Sequence, residues 1–113
     1  MSMPLIYLAS PYSHVDVAVR EARFRRVCEH AAKMMQRGSF VFSPIAHTHP
    51  IAVTGELDTG FAYWSEYDRK MIAVCDELHV LMLDGWRESV GVSAEILIAD
   101  ELGNPVVYVQ DEL

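Results

Sequence analysis

The sequence predicts an α/β domain of three layers, a parallel sheet of four to five strands with helices on both faces. Three observations carry this expectation. Residues 5–9, 40–42, 78–83 and 106–109 are short, mostly apolar runs, the mark of strands buried on both faces of a parallel sheet. Between them lie segments whose apolar residues recur at helical spacing, so the order reads β-α-β-α-β-α-β. Strand, helical crossover and parallel strand then close in the right-handed sense. Finally, 113 residues with 51% hydrophobic side chains are enough for one core and leave no composition shift for a second, so residues 1–113 form a single domain.

The elements follow in order. The run Leu5-Ile6-Tyr7-Leu8-Ala9 ends at Ser10-Pro11-Tyr12-Ser13. Ser13 followed by Asp16 resembles a capping box for a long helix over 16–36. That helix buries Phe24, Val27, Cys28, Ala31, Met34 and Met35, and Gly38 stops it. After the strand 40–42, residues 45–58 show two prolines counting Pro44, one glycine and little periodicity, which reads as a long active-site loop. A helix over 60–74 carries Phe61, Trp64, Tyr67, Asp68, Met71 and Val74 on one side, so Asp68 projects from a mainly apolar stripe. The third strand and the turn Asp84-Gly85-Trp86 lead to Ser89-Val90-Gly91-Val92-Ser93-Ala94-Glu95. A helix over 92–102 follows, and Gly103-Asn104-Pro105 turns into the last strand.

Charge narrows the partners. A net charge of −7 argues against polymeric nucleic acid and anionic membranes, both of which need a basic footprint. A small phosphorylated ligand is compatible, since a helix N-terminus and a few hydroxyls hold one phosphate. Cys28 and Cys75 lack metal-ligand spacing and read as buried thiols of a reducing compartment. No signal segment or membrane-length apolar run is visible, so a cytoplasmic protein is expected.

The chemistry gathers where strand ends meet. Tyr7, Ser10 and Tyr12 arrive from the first strand, Ser43, His47 and His49 from the second, and Ser89, Gly91 and Glu95 from the third. Two carboxylates, Glu95 and Asp68, could divide a glycosyl transfer, one attacking the anomeric carbon and one handling the leaving-group proton. Each residue also has a structural role open to it. Glu95 would complement a helix macrodipole, and Asp68 could pair with Arg69 or a basic residue of the first helix. Tyr7 could be core, and Ser10 and Ser13 turn residues. Trp86 would stack on a base or fill a subunit contact. His47 and His49 put two imidazoles on one side of an extended segment, but zinc needs three or four ligands, and no third is visible at a diagnostic spacing.

The first-strand motif Tyr7-Leu8-Ala9-Ser10-Pro11-Tyr12, Asp68, and Ser89-x-Gly91-Val92-x-x-Glu95 together resemble the nucleoside 2-deoxyribosyltransferase-like superfamily. So does Ala99 ahead of Gly103-x-Pro105-Val106. The segments Ser-Pro-Ile-Ala-His-Thr-His-Pro and Leu-Asp-Gly-Trp look like its DUF1937 branch. The resemblance covers nearly the whole chain. It implies a flavodoxin-like or Rossmann-like sheet, attack by Glu95 on C1′ of a deoxyribose, orientation of Glu95 by Tyr7, and departure of the base assisted by Asp68. Transferases of that superfamily usually carry Asp at the position of Ser89, and branches hydrolysing nucleoside 5′-monophosphates carry Ser. A hydroxyl at a helix N-terminus donates to phosphate where a carboxylate would repel it, so a nucleotide is favoured over a nucleoside.

The resulting expectation is an N-glycosidase or deoxyribosyltransferase-like enzyme with Glu95, Asp68 and Tyr7 as catalytic residues. Ser10, Ser89, Gly91, Trp86 and His47 would contact the substrate, and no metal or organic cofactor is required. Rival readings are a non-catalytic nucleotide-binding module and a metal-assisted hydrolase using His47 and His49. A homo-oligomer, dimer or higher, is expected, because Phe61, Tyr63, Trp64 and Tyr67 exceed what one helix face buries in so small a core.

Overall fold

The computed structural model describes residues 3–57 and 61–111. Four strands, β1 (Leu5–Ala9), β2 (Phe40–Phe42), β3 (Glu77–Leu81) and β4 (Val106–Val109), form one parallel sheet in the order β2-β1-β3-β4. Tyr7 lies opposite Phe42 on one side and Leu78 on the other, and Leu81 lies opposite Val109. The helices are α1 (Val17–Gln36), α2 (Pro44–Gly55), α3 (Phe61–Val74) and α4 (Val90–Leu102), with a single 3-10 turn at Trp86–Glu88.

Alternation along β1 divides the core. Tyr7 and Ala9 join Ile72 and Cys75 at the end of α3 and Val92, Ile98 and Ala99 of α4. Ile6 and Leu8 join Val27, Ala31 and Met34 of α1, with Ile45 of α2 packed against them. The sheet is thus covered on both faces, giving the three layers expected. The strand order reverses direction between β1 and β3, the switch point where open α/β sheets leave a crevice beyond the carboxyl ends of their strands.

Residues 45–58 are the main correction. Where a loop was expected, α2 runs for three turns. Ser43 caps it, its hydroxyl accepting from the Ala46 amide at 3.1 Å, and Pro44 occupies the first turn. Pro50 lies inside the helix, where it has no N–H to give, but it is exposed and the helix continues past it. Packing of α2 against α1 and β1 outweighs the missing bond and the weak periodicity. Asp58 and Gly60, the latter expected to open the next helix, lie outside the described residues, as does the side chain of Phe61.

Other boundaries shift less. The cap of α1 is Asp16, whose carboxylate accepts from the Ala18 amide at 2.9 Å; Ser13 stays in the loop, so the capping box is not formed. Met35 and Val74, assigned to buried stripes, are exposed because both fall in the last turn of their helices. Asn104 ties off α3 by donating to the carbonyls of Ile72 (3.1 Å) and Cys75 (3.2 Å). Among the described residues no helix is long and apolar enough to cross a membrane.

Candidate functional site

The crevice at the switch point is a cavity of about 750 Å³, within the range of small-molecule sites. The loop after β1 contributes Ser10 and Tyr12, the N-terminal turns of α1 contribute Arg20 and Glu21, α3 contributes Asp68, and Ser89, Gly91 and Glu95 come from the start of α4.

Glu95 sits 6% exposed on the first turns of α4, one helical turn beyond Val92, whose burial against the sheet turns this face of the helix inward. It meets Tyr7, fully buried in the central strand, and the tyrosine hydroxyl donates to Glu95 Oε2. Asp68 comes from α3, half-buried and near enough to act on both. Burial pushes the Glu95 carboxyl up to about 8; the Asp68 charge adds to the rise and the Tyr7 hydrogen bond opposes it. Burial raises Asp68 to about 6, again against a hydrogen bond from Tyr7. Tyr7 itself is raised by burial and then by the two carboxylates, so its hydroxyl stays protonated and donates. Two carboxyls of this kind titrate as a unit, and between those values the unit holds one proton.

The alternative partner for Asp68 is engaged elsewhere: the Arg69 guanidinium donates to Glu101 on α4 at 2.5 Å. Among the described residues, Ser10 Oγ is the buried side-chain polar atom that lacks a hydrogen-bond partner, and Ser10 lines the cavity. A buried hydroxyl left so is costly unless a ligand or water satisfies it. Ser89 Oγ accepts from the Val92 amide at 3.1 Å as the cap of α4, which leaves its own proton free to be donated.

Not every residue singled out in the sequence reaches this cavity. Trp86 packs on the core and on Tyr108, ring centroids 5.5 Å apart, with Arg87 over its ring. His47 is exposed beside Phe42. On a helix, residues two apart point in roughly opposite directions, so His47 and His49 do not share a side as an extended segment would have placed them. His49 is buried and lines the cavity. No group of three or more His, Cys, Asp or Glu side chains among the described residues is placed to hold a metal ion.

The structure adds Arg20, Glu21 and Arg23. Val17, Arg20 and Glu21 follow helical spacing at the end of α1 nearest the strand ends, a pattern that was visible. Arg23 was not foreseeable. It donates to the carbonyls of Ser13 (3.0 Å) and Asp84 (3.1 Å), joining the loop after β1 to the loop after β3. Gly85, at φ +89°, makes room for it: a Cβ there would lie 2.6 Å from Arg23 Nη2.

A search of curated proteins gave no match to the chain. A family profile described as "Domain of unknown function (DUF1937)" matches residues 4–111, which takes in every residue of the cavity. The chain belongs to the DUF1937 family.

Proposed function

We propose that the protein is an enzyme that breaks the N-glycosidic bond of a small nucleoside or nucleoside 5′-monophosphate, with Glu95 as nucleophile. The observation that carries this reading is the convergence of Glu95 and Asp68 on the Tyr7 hydroxyl at the wall of a nucleotide-sized cavity. Tyr7 holds one oxygen of Glu95 and leaves the other for attack on C1′. The one proton that the pair retains near neutrality rests mainly on Glu95, the carboxyl of higher pKa. The reactive form is the one in which that proton has passed to Asp68, so that the C1′–N bond breaks as the C1′–O bond to Glu95 forms and Asp68 assists the departing base. Water or a second base then displaces Glu95 and restores its carboxylate. The unpartnered Ser10 hydroxyl, the Ser89 hydroxyl, the α4 N-terminus around Gly91 and the Arg20 guanidinium suit the 5′ end of the sugar, phosphorylated or free.

The test is incubation with a panel of nucleosides and 5′-monophosphates, reading free base by chromatography. Release by the wild type and its loss in Glu95→Gln support the reading, as does a sugar adduct on the Glu95 peptide in enzyme quenched during turnover. Binding of panel members without release would favour a nucleotide-sensing module instead.

A further inference from the structure

A second cluster of titratable groups lies in the same cavity, and the scheme above gives it no task. Tyr12 stands in the loop after β1, Glu21 on α1 and His49 on α2, and all three line the cavity. His49 is 7% exposed. Its ring stacks on Phe24, centroids 4.2 Å apart at 27°, and meets Tyr12 edge-on at 5.4 Å and 77°. Nε2 is 3.0 Å from Glu21 Oε1, and Nδ1 is 2.5 Å from the Tyr12 hydroxyl.

The partners fix the roles. A carboxylate only accepts, so Nε2 carries the proton and donates to Glu21. Nδ1 of the neutral ring is then bare and accepts the Tyr12 O–H. Carboxylate, imidazole and hydroxyl in this order form the arrangement that activates a hydroxyl as a base. A histidine serving only to fill the α1–α2 contact would need its nitrogens satisfied, but not by a hydroxyl placed on a ligand cavity.

Placement decides the step it serves. α1 and α2 pack on the sheet face of Ile6 and Leu8, α3 and α4 on the face of Tyr7 and Ala9. The cluster therefore stands across the carboxyl end of β1 from Glu95. In a displacement at C1′ the base leaves, and the acceptor later enters, on the face away from Glu95, so a group that activates the acceptor has to stand across the cavity from Glu95, as Tyr12 does.

On the basis of the proposed glycosidic function, we propose that Tyr12, backed by His49 and Glu21, is the general base that activates the acceptor, water or the N–H of a second heterocycle. The acceptor's lone pair forms the new bond to C1′ as the C1′–Oε bond to Glu95 breaks and the carboxylate is restored. The acceptor's proton passes to Tyr12 Oη, and the tyrosine proton passes to His49 Nδ1. The imidazolium so formed rests against Glu21. Tyr12 is the catalytic residue; His49 and Glu21 act through it.

The test is Tyr12→Phe, which removes one oxygen and keeps the ring, with Glu21→Gln as a second variant. Both are assayed on a nucleotide that the wild type cleaves, with water as the only acceptor. Steady-state turnover of Tyr12→Phe should fall about 100-fold, while a burst of base equal to the enzyme persists and the Glu95 sugar adduct accumulates. Azide, which attacks without losing a proton, should restore turnover of Tyr12→Phe at least tenfold and leave the wild type unchanged. Glu21→Gln should show the same pattern with a loss of roughly tenfold. A Tyr12→Phe enzyme with unchanged turnover, or one that loses the burst and ignores azide, overturns the relay and leaves the glycosidic reading intact. A wild type that releases no base overturns both.

Discussion

Glu95→Gln should shift stability in a pH-dependent way, from a small loss at pH 5 to a net gain at pH 7 and above. Glu95 binds its proton more tightly in the folded state, where its pKa is about 8, than in the unfolded chain, where it has the ordinary value of 4.5. The stability associated with that proton is complete below 4.5 and is lost as pH rises through about 8. At ~1.4 kcal/mol per pH unit, ionisable Glu95 costs under about 1 kcal/mol at pH 5, about 3 at pH 7 and about 4 at pH 8. Glutamine cannot ionise and therefore escapes this cost. Its buried amide adds a penalty of about 1–2 kcal/mol that does not vary with pH, so the change in the gap is the diagnostic quantity. Between pH 5 and pH 7 the variant should gain about 2–3 kcal/mol on the wild type, roughly 10 °C in Tm for a domain of this size. Parallel thermal melts by circular dichroism at pH 5, 7 and 8 measure it. A Tm difference that stays constant over this range would refute a desolvated Glu95 carboxyl.

The same pair sets the pH dependence of turnover. kcat/KM on a confirmed substrate should be bell-shaped, with limbs near about 6 and about 8, because a second proton silences the nucleophile and loss of the last one removes the acid; a flat profile from pH 5 to 9 would contradict it. Ser89→Asp keeps a good helix cap but should weaken 5′-monophosphates roughly 10- to 100-fold relative to nucleosides by like-charge repulsion, and an equal loss on both would mean that Ser89 shapes the loop without reading the phosphate. Gly85→Ala should cost about 1–3 kcal/mol, through its positive φ and the displaced Arg23; urea denaturation checks this, with Gly91→Ala, whose Cβ would meet only Ser89 Oγ at 3.9 Å, as the near-neutral control. Tyr63, half-exposed and in edge contact with Trp64 at 5.0 Å, leads us to expect a homodimer, and light scattering at micromolar concentration that returns a mass near 12.8 kDa would exclude it.

The layered sheet was legible in the sequence because each strand is a short apolar run, α1 and α3 show a clear apolar stripe, and α4 is bounded by Ser89 and Gly103. Helix α2 was not, because Pro50 and the unpatterned residues around it are overridden by packing on α1. The start signal Ser43-Pro44 was nevertheless present and fits a capped helix with proline in its first turn. Misreading this segment as extended also paired His47 with His49, when one faces solvent and the other the cavity. The meeting of Tyr7 with Glu95, which lie in two separate motifs, was implied only by the resemblance those motifs carry together. The contacts of His49 with Glu21 and Tyr12 join three elements 28 and 37 residues apart, and no local spacing encodes them. Trp86 drew notice as an aromatic residue in a turn, but neighbouring strand β4 supplies Tyr108 to cover it.

Tyr7 belongs to two systems at once. Its ring lies in the apolar cluster that fastens α3 and α4 to the sheet, and its hydroxyl donates to Glu95, the proposed nucleophile. The site therefore has no mechanical independence from the layer beneath it. A small slip of α4 along the sheet, too slight to melt any helix, would carry Glu95 off the tyrosine hydroxyl, so heat or a distant cavity-forming substitution should silence the protein before it unfolds. If the proposed activity holds, turnover would then report the seating of one layer on another more sensitively than any spectroscopic measure of helix content.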